Sequence, residues 1–164
     1  IVSDTVIFKS PTCTTADIRC VEVLAEIAGI EDFKELGMEM FRVKSAVQGT
    51  PVRDLVKRDF KDFDMHGNLV GIGQLEVIDL SVFDDIKADL TKDIAALKEE
   101  GQRHSVLLLL TDIMKEGSLM LVASDDGTIV EKAYDVVVDN GEVWLDGVLS
   151  RKKQVVPPLQ DAFA

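Results

Sequence analysis

At 164 residues and a formal net charge of −12, the chain is long enough for one well-cored domain, or for one domain with part of another. Apolar residues make up 46% and charged residues 29%, a balance that excludes a disordered chain. So acidic a protein is ill suited to nucleic acid or to an anionic membrane surface, because both demand a basic face.

Residues 2–8 are apolar and β-prone, which predicts a strand broken by Ser10-Pro11-Thr12. Thr14 or Thr15 is a good N-cap for a helix to about residue 28, with Ile18, Val21, Leu24, Ala25 and Ile27 or Ala28 on its apolar face and Gly29 as its stop. A second helix is expected over 32–44, with Phe33, Leu36, Met40 and Val43 inward. Cys13 and Cys20 have no further ligand nearby, so they indicate neither a zinc site nor a disulfide framework and fit a reducing cytosol. The chain opens without Met at what reads as a strand end, so Ile1 is expected to be an internal position of a longer parent.

Residues 45–51 contain Gln48, Gly49, Thr50 and Pro51, the best linker in the chain. Beyond it, strands and helices alternate. A short helix is expected after Pro51, then a strand over 60–64, a turn at His66-Gly67-Asn68 and a long strand over 69–78. Gln74 interrupts that apolar strand, so its amide must find a partner or face a cleft; structural hydrogen bonding is the favoured reading. Ser81 is expected to cap a helix to about residue 100. The run 106–110, apolar on both faces, reads as a central strand and is far too short to span a bilayer. Its neighbour is expected over 119–123, then a short helix over 128–134 and a hairpin pairing 136–138 with 143–145 across Asp139-Asn140-Gly141. The pattern predicts an α/β domain with a mixed sheet of about five strands covered by helices.

The densest positive charge is at the tail, Ser150-Arg151-Lys152-Lys153-Gln154-Val155-Val156-Pro157. One rigid guanidinium fork beside two mobile ammonium groups suits a compact, highly charged phosphate. The screening length at physiological salt is roughly 8 Å, so such local cations, rather than the net charge, decide anion binding. The bland alternative is a solvated turn.

That string resembles the C-terminal signature of family II inorganic pyrophosphatases, the manganese-dependent members of the DHH phosphoesterase superfamily. Ile1-Val2-Ser3-Asp4-Thr5 with Phe8-Lys9-Ser10-Pro11-Thr12-Cys13-Thr14 resembles the segment closing their metal-binding half. Asp59-Phe60-Lys61-Asp62-Phe63 and Val70-Gly71-Ile72-Gly73-Gln74 resemble the entry to their C-terminal domain. The resemblance implies that 1–45 are a strand-helix-helix remnant of the N-terminal DHH domain, 46–51 a linker, and 52–164 the DHH-associated substrate-binding domain.

It further implies that Asp4 is a metal ligand and that Lys61, Arg151 and Lys152 hold the phosphates of pyrophosphate. Without it, Asp4 reads as a turn residue and Lys61 as an exposed strand lysine between Phe60 and Phe63. In an extended tail Lys153 would point away from Lys152, giving it a peripheral role.

The implied reaction is hydrolysis of pyrophosphate to two orthophosphates by a nucleophile held between Mn²⁺ ions, with Mg²⁺ or Co²⁺ as substitutes. The His-x-x-Pro-Asp-x-Asp-like and Asp-His-His segments that carry the family's other ligands do not occur in this sequence. The chain is therefore expected to need the missing N-terminal DHH domain, to bind no metal alone and to be inactive alone. The parent is expected to be cytoplasmic; the resemblance implies homodimers formed through the N-terminal domain, an implication that does not carry over to this chain, whose oligomeric state the sequence leaves open. Two other readings stay open: a fragment of an exopolyphosphatase relative, or a non-catalytic module binding a phosphate ligand or a protein.

Overall fold

The computed structural model describes residues 1–164. Two helices come first: α1 (Thr15–Ala28) and α2 (Phe33–Lys44). The α1 start is a capping box, in which the Thr14 hydroxyl accepts from Asp17 N while the Asp17 carboxylate accepts from Thr14 N. Its end is Gly29 at φ +67°, where a side chain would be strained. Asp32 caps α2 by accepting from Lys34 N and Glu35 N.

After α3 (Val52–Lys57) the sheet begins, with β1 (Phe60–Met65), β2 (Asn68–Val77), β3 (Ser105–Asp112), β4 (Gly117–Ser124) and β5 (Glu142–Asp146). The spatial order is β1-β2-β3-β4-β5, and only β2 and β3 run parallel. That parallel pair requires a crossover, supplied by a 3₁₀ turn (Leu80–Phe83) and α4 (Lys87–Glu100). The helix α5 (Ile129–Tyr134) lies between β4 and β5, and a π turn (Arg151–Val155) leads into α6 (Val156–Ala162). The expected mixed five-stranded α/β sheet is therefore present.

Alternation along the strands builds two cores. On one face Leu75, Val106, Leu108 and Leu110 pack under Leu55 and Val56 of α3 and Leu90, Ile94 and Leu97 of α4. On the other, Val70, Ile72, Leu107, Leu109 and Met120 pack under Ile129, Val130, Val155 and Leu159. All eight residues of β3 are buried, as its unbroken apolar run implies. Burying each such side chain contributes about 1.5–3 kcal/mol.

Four expectations fail locally. Residues 2–8 form turns instead of a strand, and Val6, Ile7 and Phe8 all have positive φ; a lone β-prone segment has no sheet edge to pair with here. Ser81 does not cap the crossover helix: Asp79 accepts from Ser81 N, the chain makes a 3₁₀ turn that buries Phe83, and α4 starts only at Lys87. Residues 136–138 are no strand, since Val138 N instead donates to the Glu131 carboxylate. The Asn140-Gly141 turn itself is present, with φ +50° and +79°. The tail at 151–155 is helical, not extended, which removes the argument that Lys153 opposes Lys152.

The helical pair also packs less than its periodicity suggests. Only Val21 and Ala25 of α1, and Gly37 and Phe41 of α2, are buried, while Leu24, Ile27, Leu36, Met40 and Val43 are exposed.

Candidate anion-binding site

The even-numbered side chains of β2 share one face. Val70 and Ile72 lie under α6, and the next two positions, Gln74 and Glu76, extend past the core toward the strand's carboxyl end. There a cleft of about 290 Å³ opens, with Gln74 and Glu76 on its wall, Arg151 and Lys152 from the π turn above, and Asp4 and Lys44 from the N-terminal segment opposite. Strand carboxyl ends are where α/β sheets present ligand groups.

One glutamine ties the basic turn to the sheet and a second braces it against its own loop. The Gln74 amide donates to Thr111 Oγ1 at 3.0 Å and to the Leu149 carbonyl at 3.1 Å, and its oxygen accepts from Arg151 N at 3.3 Å. Gln154 works from the other side, its Oε1 accepting from Leu149 N and Ser150 N while its Nε2 donates to the Gly147 carbonyl. The Ser150 hydroxyl caps the turn by accepting from Lys153 N. Tyr134 Oη donates to the Gln154 carbonyl, and burial pushes the Tyr134 phenol up, keeping it a donor. The N–H groups of Leu149, Ser150, Arg151 and Lys153 thus have partners before any ligand arrives, which preorganises the basic residues.

Arg151 is 8% exposed. Its Nη1 donates to the carbonyls of Asp59 at 2.7 Å and Ile72 at 3.0 Å, and its Nη2 donates to Asp59 Oδ1 at 2.7 Å. Lys152 is exposed above the cleft. Lys44 Nζ lies 3.3 Å from Glu76 Oε2 and 2.7 Å from Ser3 Oγ. Burial pushes the Glu76 carboxyl up, against the opposing pull of Lys44, with Asp59 and Asp4 adding in the same upward direction.

Of the four residues singled out from the sequence, Asp4, Arg151 and Lys152 line one cleft. Lys61 is not in that lining. It pairs in register with Ile72, whose carbonyl accepts from Arg151, and shares a sheet face with Phe63 and Met65. Phe60 is on the opposite face, its ring over Gly71 with the Arg103 guanidinium 5.3 Å from the ring centroid, so the Lys61 stem does not lie between two aromatics. Lys44, Asp59, Glu76 and Gln154 were not foreseen. An acid at Glu76, two positions after Gln74 on the same face of an apolar strand, was the available signal; Lys44 resembles any last-turn helix lysine.

No three His, Cys, Asp or Glu side chains converge to hold a metal ion. Asp4 is a hard oxygen donor suited to Mn²⁺ or Mg²⁺, but the residues present do not make a complete metal centre.

The fold and cleft define an α/β domain that presents a preorganised basic turn at the end of a mixed sheet. Residues 38–162 match the DHHA2 domain, and the chain belongs to that family. It is 49% identical to the manganese-dependent inorganic pyrophosphatase of Methanocaldococcus jannaschii over 99% of this chain and 53% of that protein. It is 41% identical to the cobalt-dependent inorganic pyrophosphatase of Clostridium perfringens over 97% of this chain and 29% of that protein. A crystal structure assigned to family II inorganic pyrophosphatase from Methanococcus jannaschii superposes with a TM-score of 0.92 at 46% identity, covering 99% of this chain and 52% of that one. These relatives bear out the resemblance drawn from the sequence. The chain spans about half the length of the archaeal relatives it matches. No helix is long and apolar enough to cross a membrane.

Proposed function

We propose that this chain is the phosphate-gripping half of a metal-dependent inorganic pyrophosphatase that hydrolyses pyrophosphate to two orthophosphates. The observation that carries this reading is the meeting of Arg151 and Lys152 with Asp4 across one cleft, although about 150 residues separate them in the chain. The pyrophosphatase relatives of twice this length support it.

Lys152 supplies a mobile ammonium for the phosphate oxygens, and Lys61 stands one strand away at the rim of the turn's anchor. Arg151, held by Asp59 and two carbonyls, fixes the turn and places its positive charge behind the bound anion. Cations placed beforehand stabilise charge as it moves onto the leaving phosphate, without reorganising during the reaction. Asp4 contributes one ligand to a divalent metal, Mn²⁺ by analogy with the relatives, whose remaining ligands lie in the other half of such proteins. When bound, that metal would activate the attacking water. A cytoplasmic setting fits two free thiols, Cys13 and Cys20.

The test is calorimetric titration of the 164-residue chain with non-hydrolysable imidodiphosphate in Mg²⁺. Binding is expected, with a loss of about tenfold or more in a Lys152→Ala variant, which removes an exposed cation without touching the turn's anchor, since each charge-assisted bond contributes on the order of 1.5–3 kcal/mol. Absence of binding, or equal binding by the variant, sinks the reading. Manganese-dependent turnover of pyrophosphate by the chain alone would refute its assignment as a half-site.

A further inference from the structure

The three cations of the cleft are not equivalent. Arg151 is spent on Asp59 and backbone carbonyls, and only 10% of its side chain is accessible. Lys152 is exposed. Lys44 lies between these extremes: its side chain is 42% accessible, and its nearest carboxylate, Glu76, is 3.3 Å away. It sits on the last turn of α2 and touches Ser3, the neighbour of Asp4, on one side and β2 on the other. Its ammonium is therefore placed where the N-terminal segment and the sheet domain face each other across the anion site.

The cleft lining carries Lys44, Arg151 and Lys152 against Asp4, Asp59 and Glu76, three charges of each sign. Beyond Lys152, which is exposed and makes no ion pair, an anion entering this balanced site gains most by taking over Lys44, whose carboxylate contact is long. The Lys44–Glu76 contact, at 3.3 Å, is long for a charge-assisted bond, which ordinarily closes to about 2.7–2.9 Å. A phosphate oxygen offers that same ammonium a shorter and stronger charge-assisted bond. Glu76 is also the partner that tolerates losing its charge, because burial already disfavours its ionised form.

We propose that Lys44 is a further phosphate-binding cation of this cleft, held at rest by Glu76 and transferred to the anion when a compact polyphosphate enters. Because the stem is flexible and Lys44 already lines the cleft, the transfer is a side-chain rotation. Ligand capture by Lys44 also ties the segment carrying Asp4 to the domain carrying Arg151 and Lys152.

The inference rests on the pyrophosphatase reading, and its test separates the two. Imidodiphosphate in Mg²⁺ is titrated into the unmodified chain and into Lys44→Gln, Lys44→Arg, Glu76→Gln and Lys44→Gln/Glu76→Gln variants, with urea unfolding of each as a check on the fold. Lys44→Gln is expected to weaken binding about tenfold and Lys44→Arg to retain most of it. Glu76→Gln is expected to tighten binding several-fold, by roughly one released charge-assisted contact, and the double variant to lose that gain. Opposite signs for the two partners of one ion pair would not arise from a pair that only holds the fold together. Unchanged binding in Lys44→Gln, or weakening in both single variants, overturns the proposal while leaving Arg151 and Lys152 as the clamp. Failure of the unmodified chain to bind overturns this proposal and the pyrophosphatase reading together.

Discussion

Gln74 shows how one buried amide serves a site. Its two N–H donors and its oxygen are all used, tying Thr111, Leu149 and Arg151 together. A Gln74→Leu substitution keeps the volume but leaves the Leu149 carbonyl and Arg151 N–H without partners. It is expected to cost about 1–3 kcal/mol in urea unfolding, and an unchanged midpoint would show that water replaces the amide. Asp126 is a second residue with a measurable signature. The Thr128 hydroxyl and backbone N–H, and then Lys132, hold its carboxyl at about 2. Because that value is depressed, its contribution to stability is present above the unfolded value of 3.8 and disappears as pH falls toward 2. An Asp126→Ala variant should therefore melt with a shallower acid dependence between about pH 4 and 2 than the unmodified chain, and parallel curves would contradict the assignment.

At the scale of elements, the π turn and α6 form the device that presents the cations. Pro157 and Pro158 occupy the first turn of α6, where their missing N–H groups cost nothing. Ahead of them the backbone widens, Val156 N donating to the Arg151 carbonyl five residues back. Gln154 and Tyr134 hold this geometry from within and from α5. Tyr134→Phe removes one hydrogen bond to the turn and is expected to lower stability by about 0.5–1.5 kcal/mol, with imidodiphosphate affinity falling if the turn loosens. A thermal shift without any change in affinity would show that the turn holds its shape without α5. Element ends at 14 and 29 were readable because a capping box and a left-handed glycine act through neighbours in sequence. The start of the crossover helix was not, since Asp79 and Ser81 are both good caps and only the burial of Phe83 selects between them.

For the whole molecule, β3 is the central support. Leu108, Leu107 and Leu109 are fully buried between two helical layers, and β2 and β4 flank the strand. Leu108→Ala should lower unfolding free energy by about 2–5 kcal/mol in a denaturant titration, and a loss below about 1 kcal/mol would mean the layers collapse onto the cavity. The sheet was legible from periodicity, because alternation and turn residues act over a few positions and each strand's burial is written into its own composition. The segment 2–8 was misread for a reason of the same kind: its composition is strand-like, but a strand is made by pairing, and no sheet edge meets it in this fold. The basic tail and Asp4 could be marked from local strings. That they face one cleft with Lys44 and Glu76, and that Arg151 is anchored while Lys44 is loosely held, depended on the folded chain. Side-chain convergence across 75 to 150 residues follows from sheet register and helix packing, which no local pattern of residues encodes.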